Sequence, residues 1–275
     1  MSRTRRPLAA RSPAKTSTTA HKSGSVRLWA VIFWITVWQA AAMTLQAIYP
    51  HGALLLPSPV AALVRLGELM ATSAFWQTVA ASTGRILGGF VLACLLGAVL
   101  AALSVRFSAV RELLAPLLAC IKAVPVASFI ILALMWLSSV HLSMFISFLM
   151  VFPVVYSNVL AGILETDRQL LEMAQVFRVP AGRKLRGVYL PQIMPYFRTA
   201  CSLGLGLCWK SGIAAEVIGM PEGTIGERLH TVKVYFETAD LFAWTLVIVL
   251  ISVGFEKLFL RLLDAATERI GAAWN

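Results

Sequence analysis

Two charged side chains lie inside an otherwise apolar stretch of the sequence and are its first candidates for chemistry. Lys210 and Glu216 fall in the run from about 192 to 218, and Trp209 precedes the lysine. Ionisable groups in such surroundings usually face a protein interior or a water-filled path. On a path, Lys210 would help to hold an anion; otherwise both groups pair with polar partners and fix helix packing. Six residues apart on one helix, they point in different directions and cannot pair with each other.

The residue clusters that most enzymes need are absent from the sequence. No acidic pair stands at helical spacing in an apolar run, and the histidines are scattered. The segment GLGLCWKS, 204–211, resembles a phosphate-binding loop only superficially, because Trp209 occupies the place of the glycine before the lysine. We therefore expect no catalytic residue, no metal site and no cofactor bound by this chain. Any nucleotide-driven work would belong to a partner chain.

Composition predicts that a lipid bilayer surrounds most of the chain. Hydrophobic residues make up 59% and charged residues 13%, and the mean hydropathy is +0.78. The net charge of +11 is uneven: seven of the 24 Lys and Arg precede residue 28, with no acid among them. This pattern indicates a solvated tail that fixes topology and not a nucleic-acid surface. The cysteines, which lack metal-ligand spacing, are interpreted as packing residues: Cys94, Cys120, Cys201 and Cys208.

Charge-free runs of about twenty residues predict an all-α polytopic membrane protein with six transmembrane helices. The predicted spans are about 28–48, 80–105, 113–137, 142–164, 192–218 and 241–263. The first is too long for the apolar core of a signal peptide. The uncharged stretch from Ala123 to Leu164 is too long for one span, so we expect a hairpin broken near Ser138, Ser139 and His141.

The distribution of Lys and Arg predicts the orientation of these spans. Placing the basic tail, 1–27, in the cytoplasm puts most of the other basic residues on the same side, as the positive-inside rule requires. The membrane domain would then cover 28–265, followed by a cytoplasmic tail, 266–275. Outside, Ser58 and Pro59 predict the start of an interfacial helix that reaches about Met70, and 220–240 reads as a mildly acidic exterior loop.

A polar, basic segment, 165–191, interrupts the apolar chain on the cytoplasmic side. Read as a helix, 168–178 is two-sided, and we expect Pro180 and Gly182 to break it. A second short basic helix would follow, and Pro191 and Pro195 would mark the entry to the fifth span. One interpretation is a basic loop that only enforces topology, but topology does not require a patterned helix. The apolar stripe consists of Leu170, Met173, Ala174 and Phe177.

The sequence EMAQVFR, 172–178, followed by VYLP, 188–191, resembles the cytoplasmic EAA motif of binding-protein-dependent ABC importer permeases. The spacing of that motif is matched throughout. Met173 replaces an alanine, Val188 replaces an isoleucine, and Arg178 replaces the glycine that makes the turn between two short helices. The turn is therefore expected either at Pro180 and Gly182 or shifted by a few residues.

Further segments resemble the nitrate, sulfonate and taurine branch of this family. They are LLPSPVAAL, ASTGRILGGF, KAVPVASFIILALMW and CWKSGIAAEVIG, and with the motif they extend the resemblance over roughly 55–265. The resemblance implies a type I importer permease fold in the bacterial inner membrane. It implies a second permease subunit, expected as a homodimer, together with ATPase subunits that use ATP below the membrane and an extracytoplasmic solute-binding protein. The solute would be small and anionic, such as a sulfonate, taurine or nitrate.

The same resemblance assigns roles to residues of the polar segment. It implies that this coupling segment docks in a groove of the ATPase, with the contact and turn formed by Glu172, Met173, Ala174, Phe177, Arg178, Leu190 and Pro191. Trp209, Lys210 and Glu216 remain candidates for the translocation path. A stand-alone secondary transporter or channel is the alternative function, and a membrane enzyme would need a catalytic cluster that the sequence lacks.

Overall fold

The structure is a computed structural model that describes residues 28–272, and every regular element in that range is helical. The predicted all-α class is therefore confirmed for the described residues. The predicted basic tail, 1–27, and the last three residues lie outside them.

Twelve helices and one π-helical turn follow one another along the described chain. The first six are α1 Leu28–Ile48, α2 Gly52–Leu55, α3 Pro59–Met70, α4 Ser73–Arg106, α5 Ser108–Ala123 and α6 Val126–Ala133. The second six are α7 Ser139–Leu164, α8 Arg168–Val176, α9 Ala181–Lys184, α10 Leu190–Gly219, α11 Ile225–Val234 and α12 Thr238–Ala272. The π-helical turn, Leu185–Tyr189, joins α9 to α10 without interruption.

Four helical runs of the described chain are long and apolar enough to cross a membrane: α1, α4, α7 and the continuous run Ala181–Gly219. The pair α5 and α6 would make a fifth span if it crosses as one bent unit. The sixth predicted span, 241–263, falls within α12, whose 35 residues exceed the length that a bilayer requires. The span at that position stays a prediction.

The third predicted span, 113–137, was expected as one helix, but the structure breaks it. The axes of α5 and α6 meet at 105°. The cause is Pro125, because a proline disfavours the helical conformation of the residue before it, and Val124 is extended with ψ 132°. The next break lies where the sequence predicts it, since α6 ends at Ala133 and Ser138 precedes the first residue of α7.

The core forms where α4, α7 and α10 pack against one another. Small residues allow the close approach that membrane helices use in place of a hydrophobic driving force. A Cβ on Gly89 of α4 would lie 2.2 Å from the carbonyl oxygen of Met144 in α7. A Cβ on Gly212 of α10 would lie 2.6 Å from atoms of Ile86 and of Ser147. Three of the cysteines, Cys94, Cys201 and Cys208, are buried as expected, whereas Cys120 is exposed.

The helix α3 is held by a cap at its start and by an ion pair with α12. The Ser58 hydroxyl accepts a hydrogen bond from the Ala61 N–H and Pro59 is the first residue of α3, which confirms the predicted helix start. Arg65 of α3 donates from Nε and Nη2 to the two carboxylate oxygens of Asp240 in α12, at 2.5 and 2.8 Å. These bonds raise the pKa of Arg65, so its guanidinium stays charged.

The segment 220–240 is not the loop that we expected from the sequence. Its central part is the helix α11, which begins after Thr224. The Thr224 hydroxyl accepts from the Glu227 N–H at 3.2 Å, and the Glu227 carboxylate accepts from the Gly223 N–H at 2.6 Å. The spacing T-x-x-E is that of a capping box, which is a signal in the sequence that our reading of charge alone overlooked.

Candidate functional site

The short helix α8 is fixed at its first residue by polar contacts. The carboxylate of Asp167 accepts a hydrogen bond from the Gln169 N–H at 2.8 Å and so caps the helix. The backbone N–H of Asp167 donates to the side-chain oxygen of Gln192, near the start of α10, at 2.9 Å. Only three residues separate the end of α7 from α8. The helix α8 is therefore attached to α7 by a short link and to α10 by a hydrogen bond.

Most of the predicted apolar stripe of α8 faces solvent in this chain. The exposed fractions are 49% for Met173 and 75% for Phe177, and Val176, which the sequence analysis did not single out, is 78% exposed. Glu172 is exposed beside them. We call these four residues the α8 face. Ala174 differs from the expectation, because it is buried within the chain and is not available to a groove on a partner.

Arg178 makes the turn that ends α8. Its φ of 48° is left-handed, the conformation for which glycine is favoured. The Arg178 N–H donates to the Gln175 carbonyl at 3.1 Å and the Val179 N–H to the Ala174 carbonyl at 2.9 Å, which together form a Schellman motif. The turn has therefore neither shifted nor moved to Pro180 and Gly182. Arg178 takes the motif glycine's place in conformation as well as in sequence.

Leu190 and Pro191 lie where the second short helix continues into the membrane run. We expected Pro191 to mark the entry to the fifth span, and the helix runs into it directly from the π-helical turn. Proline has no N–H to donate and its ring crowds the carbonyl four residues earlier, and a wider turn relieves both problems. Leu190 and Tyr189 line a cavity of about 540 Å³ between this turn, α4 and α7, while Pro191 is exposed.

The three candidates for the membrane path separate onto two sides of α10. Lys210 is exposed, on the same stripe as Leu203 and Leu207, which are 56% and 41% exposed. Trp209 and Glu216 lie on a different, buried side of the helix, with exposed fractions of 1% and 0%. The structure therefore does not bring the three residues together. Of the three, only Lys210 is exposed in this chain.

Glu216 sits in a polar cluster that the sequence analysis did not identify. Its Oε2 accepts a hydrogen bond from the Ser82 hydroxyl of α4 at 2.7 Å and from the Gly226 N–H of α11 at 3.3 Å. Arg85 of α4 is the nearby positive charge, and Ser143 of α7 lies beside the carboxylate. A signal for these partners exists in the sequence, since Ser82 and Arg85 are polar residues inside a predicted span, but it does not say which residue they meet.

The described residues contain no group of three or more His, Cys, Asp or Glu that could hold a metal ion. The arrangement instead provides a mechanical connection between helices and an exposed positive charge. A short exposed helix is anchored to two long ones, and a lysine is open on the apolar face of one of them. With four or five candidate spans in the described chain, these features define a class of protein, an all-helical multi-pass membrane protein with a short exposed helix between two long ones.

The comparison with protein families identifies the particular family. Residues 93–270 match the model of the binding-protein-dependent transport system inner membrane component. The chain belongs to this family and is a permease subunit of an ABC transporter.

Relatives with assigned names agree with that membership. A Brucella melitensis protein named "Probable ABC transporter permease protein" is 30% identical over 224 residues, which cover 80% of this chain and 87% of the relative. The taurine transport system permease of Escherichia coli is 29% identical over 224 residues, which cover 79% of this chain and 80% of the relative. The riboflavin transport system permease of Chloroflexus aurantiacus is 26% identical over 242 residues, covering 88% and 87%.

Proposed function

We propose that the chain imports a small anionic solute through the inner membrane, driven by ATP that a separate ATPase subunit binds and hydrolyses. Two permease subunits, expected to be identical copies, form the path, and an extracytoplasmic binding protein delivers the solute. Both termini and the coupling segment lie in the cytoplasm, and this chain itself binds no cofactor.

The observation that carries the proposal is the exposed α8 face. An apolar surface with large exposed side chains at one end of a short helix is typical of a helix that binds in a groove of a partner. The α8 face combines Met173, Val176 and Phe177 with the exposed carboxylate of Glu172. Ala174, buried in the chain, supports the end of α8 and does not contact the ATPase.

The anchoring of α8 supplies the mechanism of coupling. The bond between Asp167 and Gln192 and the short link after α7 connect the α8 face to two helices of the core. Closure of the ATPase dimer would move α8 as a unit. Because α7 and α10 pack closely through glycines, they respond by changing from one packing to another and not by bending gradually.

Lys210 supports an anionic solute. A lysine near the middle of a span costs about 2.5 to 3.5 kcal/mol if it faces lipid, so its exposed side chain is expected to face the path or the second subunit. The named E. coli relative transports taurine, which carries a sulfonate. The named C. aurantiacus relative transports riboflavin, so solute competition must include uncharged heterocycles as well as sulfonates and nitrate.

Reversing the charge of the α8 face tests the coupling role. Glu172→Arg is expected to insert into the membrane normally but to lose most ATPase binding and uptake, because it places a positive charge on the docking surface. Glu165→Arg is the matched control, since Glu165 is also exposed and lies before α8. Co-purification of the tagged permease with its ATPase and solute uptake by whole cells are the measurements. Unchanged ATPase retention and uptake in Glu172→Arg would refute the proposal.

Removing the charge of Lys210 tests the anion role. Lys210→Met is expected to raise the solute concentration for half-maximal uptake about tenfold, the loss of one charge-assisted contact worth about 1.4 kcal/mol. Lys210→Arg should recover most of the affinity, whereas Lys257→Met on α12 should not change it. Equal uptake by Lys210→Met and the unmodified chain would return Lys210 to a packing role. Uptake that survives without any ATPase subunit would instead favour a secondary transporter or channel.

A further inference from the structure

The cavity of about 540 Å³ between α4, α7 and the π-helical turn is apolar over most of its lining. Its volume lies in the range of about 300 to 1,000 Å³ that is usual for small-molecule sites in proteins. Arg106 is the charged residue of the lining, and Tyr189 carries its hydroxyl group. The other lining residues are alanine, valine, leucine, isoleucine, methionine and phenylalanine. A cavity of this composition fits an apolar group that is attached to an anion.

The lining changes from apolar to charged in the direction of the helix ends. On α4 it runs from Ala98 to Arg106, the last residue of that helix, which is a rise of about 12 Å. On α7 it includes Val159 and Ile163, and α7 ends at Leu164. The positive charge therefore lies where α4 and α7 end, and the apolar part of the cavity extends towards the middle of both helices.

The cavity is continuous with the apolar surface of two candidate membrane spans. Val105 and Leu185 both line it and are 45% and 57% exposed. Val105 belongs to α4 and Leu185 to the run Ala181–Gly219, and both of these helical runs are long and apolar enough to cross a membrane. Lipid chains around such spans have direct access to the cavity from the side.

The guanidinium of Arg106 has no acidic partner among the residues that the structure describes. The ion pairs in that part of the chain belong to Arg65 and Arg198. Arg106 instead lies over the ring of Phe107, with 5.3 Å from its Cζ to the ring centre, which leaves its N–H groups available to an anion. Arg186, in the π-helical turn, is exposed and adds a second positive charge at this end of the helices.

We propose that this cavity is a binding site for an anionic phospholipid, with an acyl chain in the apolar part and the phosphate at Arg106. Arginine binds phosphate oxygens through two parallel hydrogen bonds, and basic pockets between spans on the cytoplasmic side, where the predicted orientation places this end of α4, are suited to anionic headgroups. The inference goes beyond the import function, because a lipid is neither the solute nor a subunit. Its binding requires neither the ATPase nor the binding protein.

Native mass spectrometry of the purified full-length permease tests the headgroup. Phosphatidylglycerol and phosphatidylcholine with the same acyl chains are added at equal concentrations, and the unmodified chain is expected to retain more of the anionic lipid. Arg106→Gln should lower the retention of phosphatidylglycerol about fivefold, the effect of one basic residue at an anionic headgroup. Arg261→Gln removes the same charge from an exposed position of α12 outside the cavity, and this control should retain as much lipid as the unmodified chain.

Filling the cavity tests the position of the acyl chain. Ala102→Trp enlarges a lining residue without changing the charge and should also lower retention, whereas Leu103→Trp, at an exposed neighbour outside the lining, should not. Glycerol phosphate, which has the phosphate but no acyl chain, should not compete.

Three outcomes would overturn the proposal. The first is retention of phosphatidylglycerol that either Arg106→Gln or Ala102→Trp leaves unchanged. The second is competition by glycerol phosphate, which would indicate a site for a free phosphate group. The third is cross-linking of two copies through Ala102→Cys that the unmodified chain does not show, which would assign the cavity to the contact between subunits.

Discussion

Arg178 allows the sharpest test of the coupling segment, because its backbone conformation disfavours its own residue type. The left-handed conformation costs an L-residue with a side chain about 1 to 2 kcal/mol relative to the right-handed one. Glycine does not pay this cost but loses about 0.5 to 1 kcal/mol more chain entropy on ordering. With a φ of 48° at Arg178, we expect Arg178→Gly to stabilise the end of α8 by about 1 kcal/mol.

A series at this one position gives a graded prediction. Arg178→Asn should stabilise the turn less than Arg178→Gly, because asparagine tolerates the left-handed region without being free in it. Arg178→Val should destabilise it, because a β-branched side chain fits that region poorly. Arg183→Gly removes the same charge from the helix α9 and should have the opposite sign, since glycine destabilises a helix by about 1 kcal/mol.

The measurement is hydrogen–deuterium exchange of the amides at 177–179, all of which donate hydrogen bonds to the end of α8. A stabilisation of about 1 kcal/mol corresponds to roughly fivefold slower exchange where local opening governs the rate. Arg178→Gly exchanging as fast as the unmodified chain, or Arg178→Val exchanging more slowly than it, would refute the argument from backbone conformation. It would mean that contacts of the arginine side chain decide the stability of this turn.

Two further predictions concern the ion pairs of α12. Asp240→Asn should lower the free energy of unfolding of the purified permease by about 1 kcal/mol, because it breaks the paired hydrogen bonds from Arg65, which is 42% exposed. Glu68→Gln should lower it less, since Glu68, the other partner of Arg65, is more exposed than Asp240. Arg198 lowers the pKa of Asp264 through hydrogen bonds of 2.6 and 3.0 Å between α10 and α12. The stabilisation from this ion pair is therefore fully present above the ordinary aspartate pKa of about 4, and it is lost as the pH falls through the lowered value. Protection from exchange near 264, taken relative to the intrinsic amide rate at each pH, should therefore fall below about pH 4 in the unmodified chain and be independent of pH in Asp264→Asn. A pH-dependent protection retained by Asp264→Asn would refute this assignment.

Features that depend on neighbouring residues along the chain could be predicted from the sequence. The cap at Ser58 and the helix that follows it are local, and the structure has both. The break before α7 follows from Ser138 and its polar neighbours. α11 was equally local, since Thr224 and Glu227 stand at capping-box spacing, and it was missed because the segment was interpreted by charge alone. The bend at Pro125 could also have been predicted from the proline itself, but this stretch was interpreted only by its length and its lack of charges.

The direction in which a side chain points could not be predicted in this way, because it depends on helices that are distant in sequence. Lys210 and Glu216 look alike in the sequence, as single charges in one apolar run. On α10, Lys210 is exposed and Glu216 is buried. Glu216 differs because it has a hydrogen-bond partner in Ser82, which is 134 residues away along the chain. No periodicity within α10 could have identified that partner, because a membrane span is apolar all the way round and its sequence does not mark one face.

This separation also gives the two sides of α10 a different tolerance to substitution. The buried side of α10 carries Trp209, Gly212 and Glu216, where any enlargement meets α4 or α7. Its exposed side carries Leu203, Leu207 and Lys210, where a change of residue type disturbs no packing within the chain. Substitutions on the exposed side therefore leave the contacts of α10 with α4 and α7 in place.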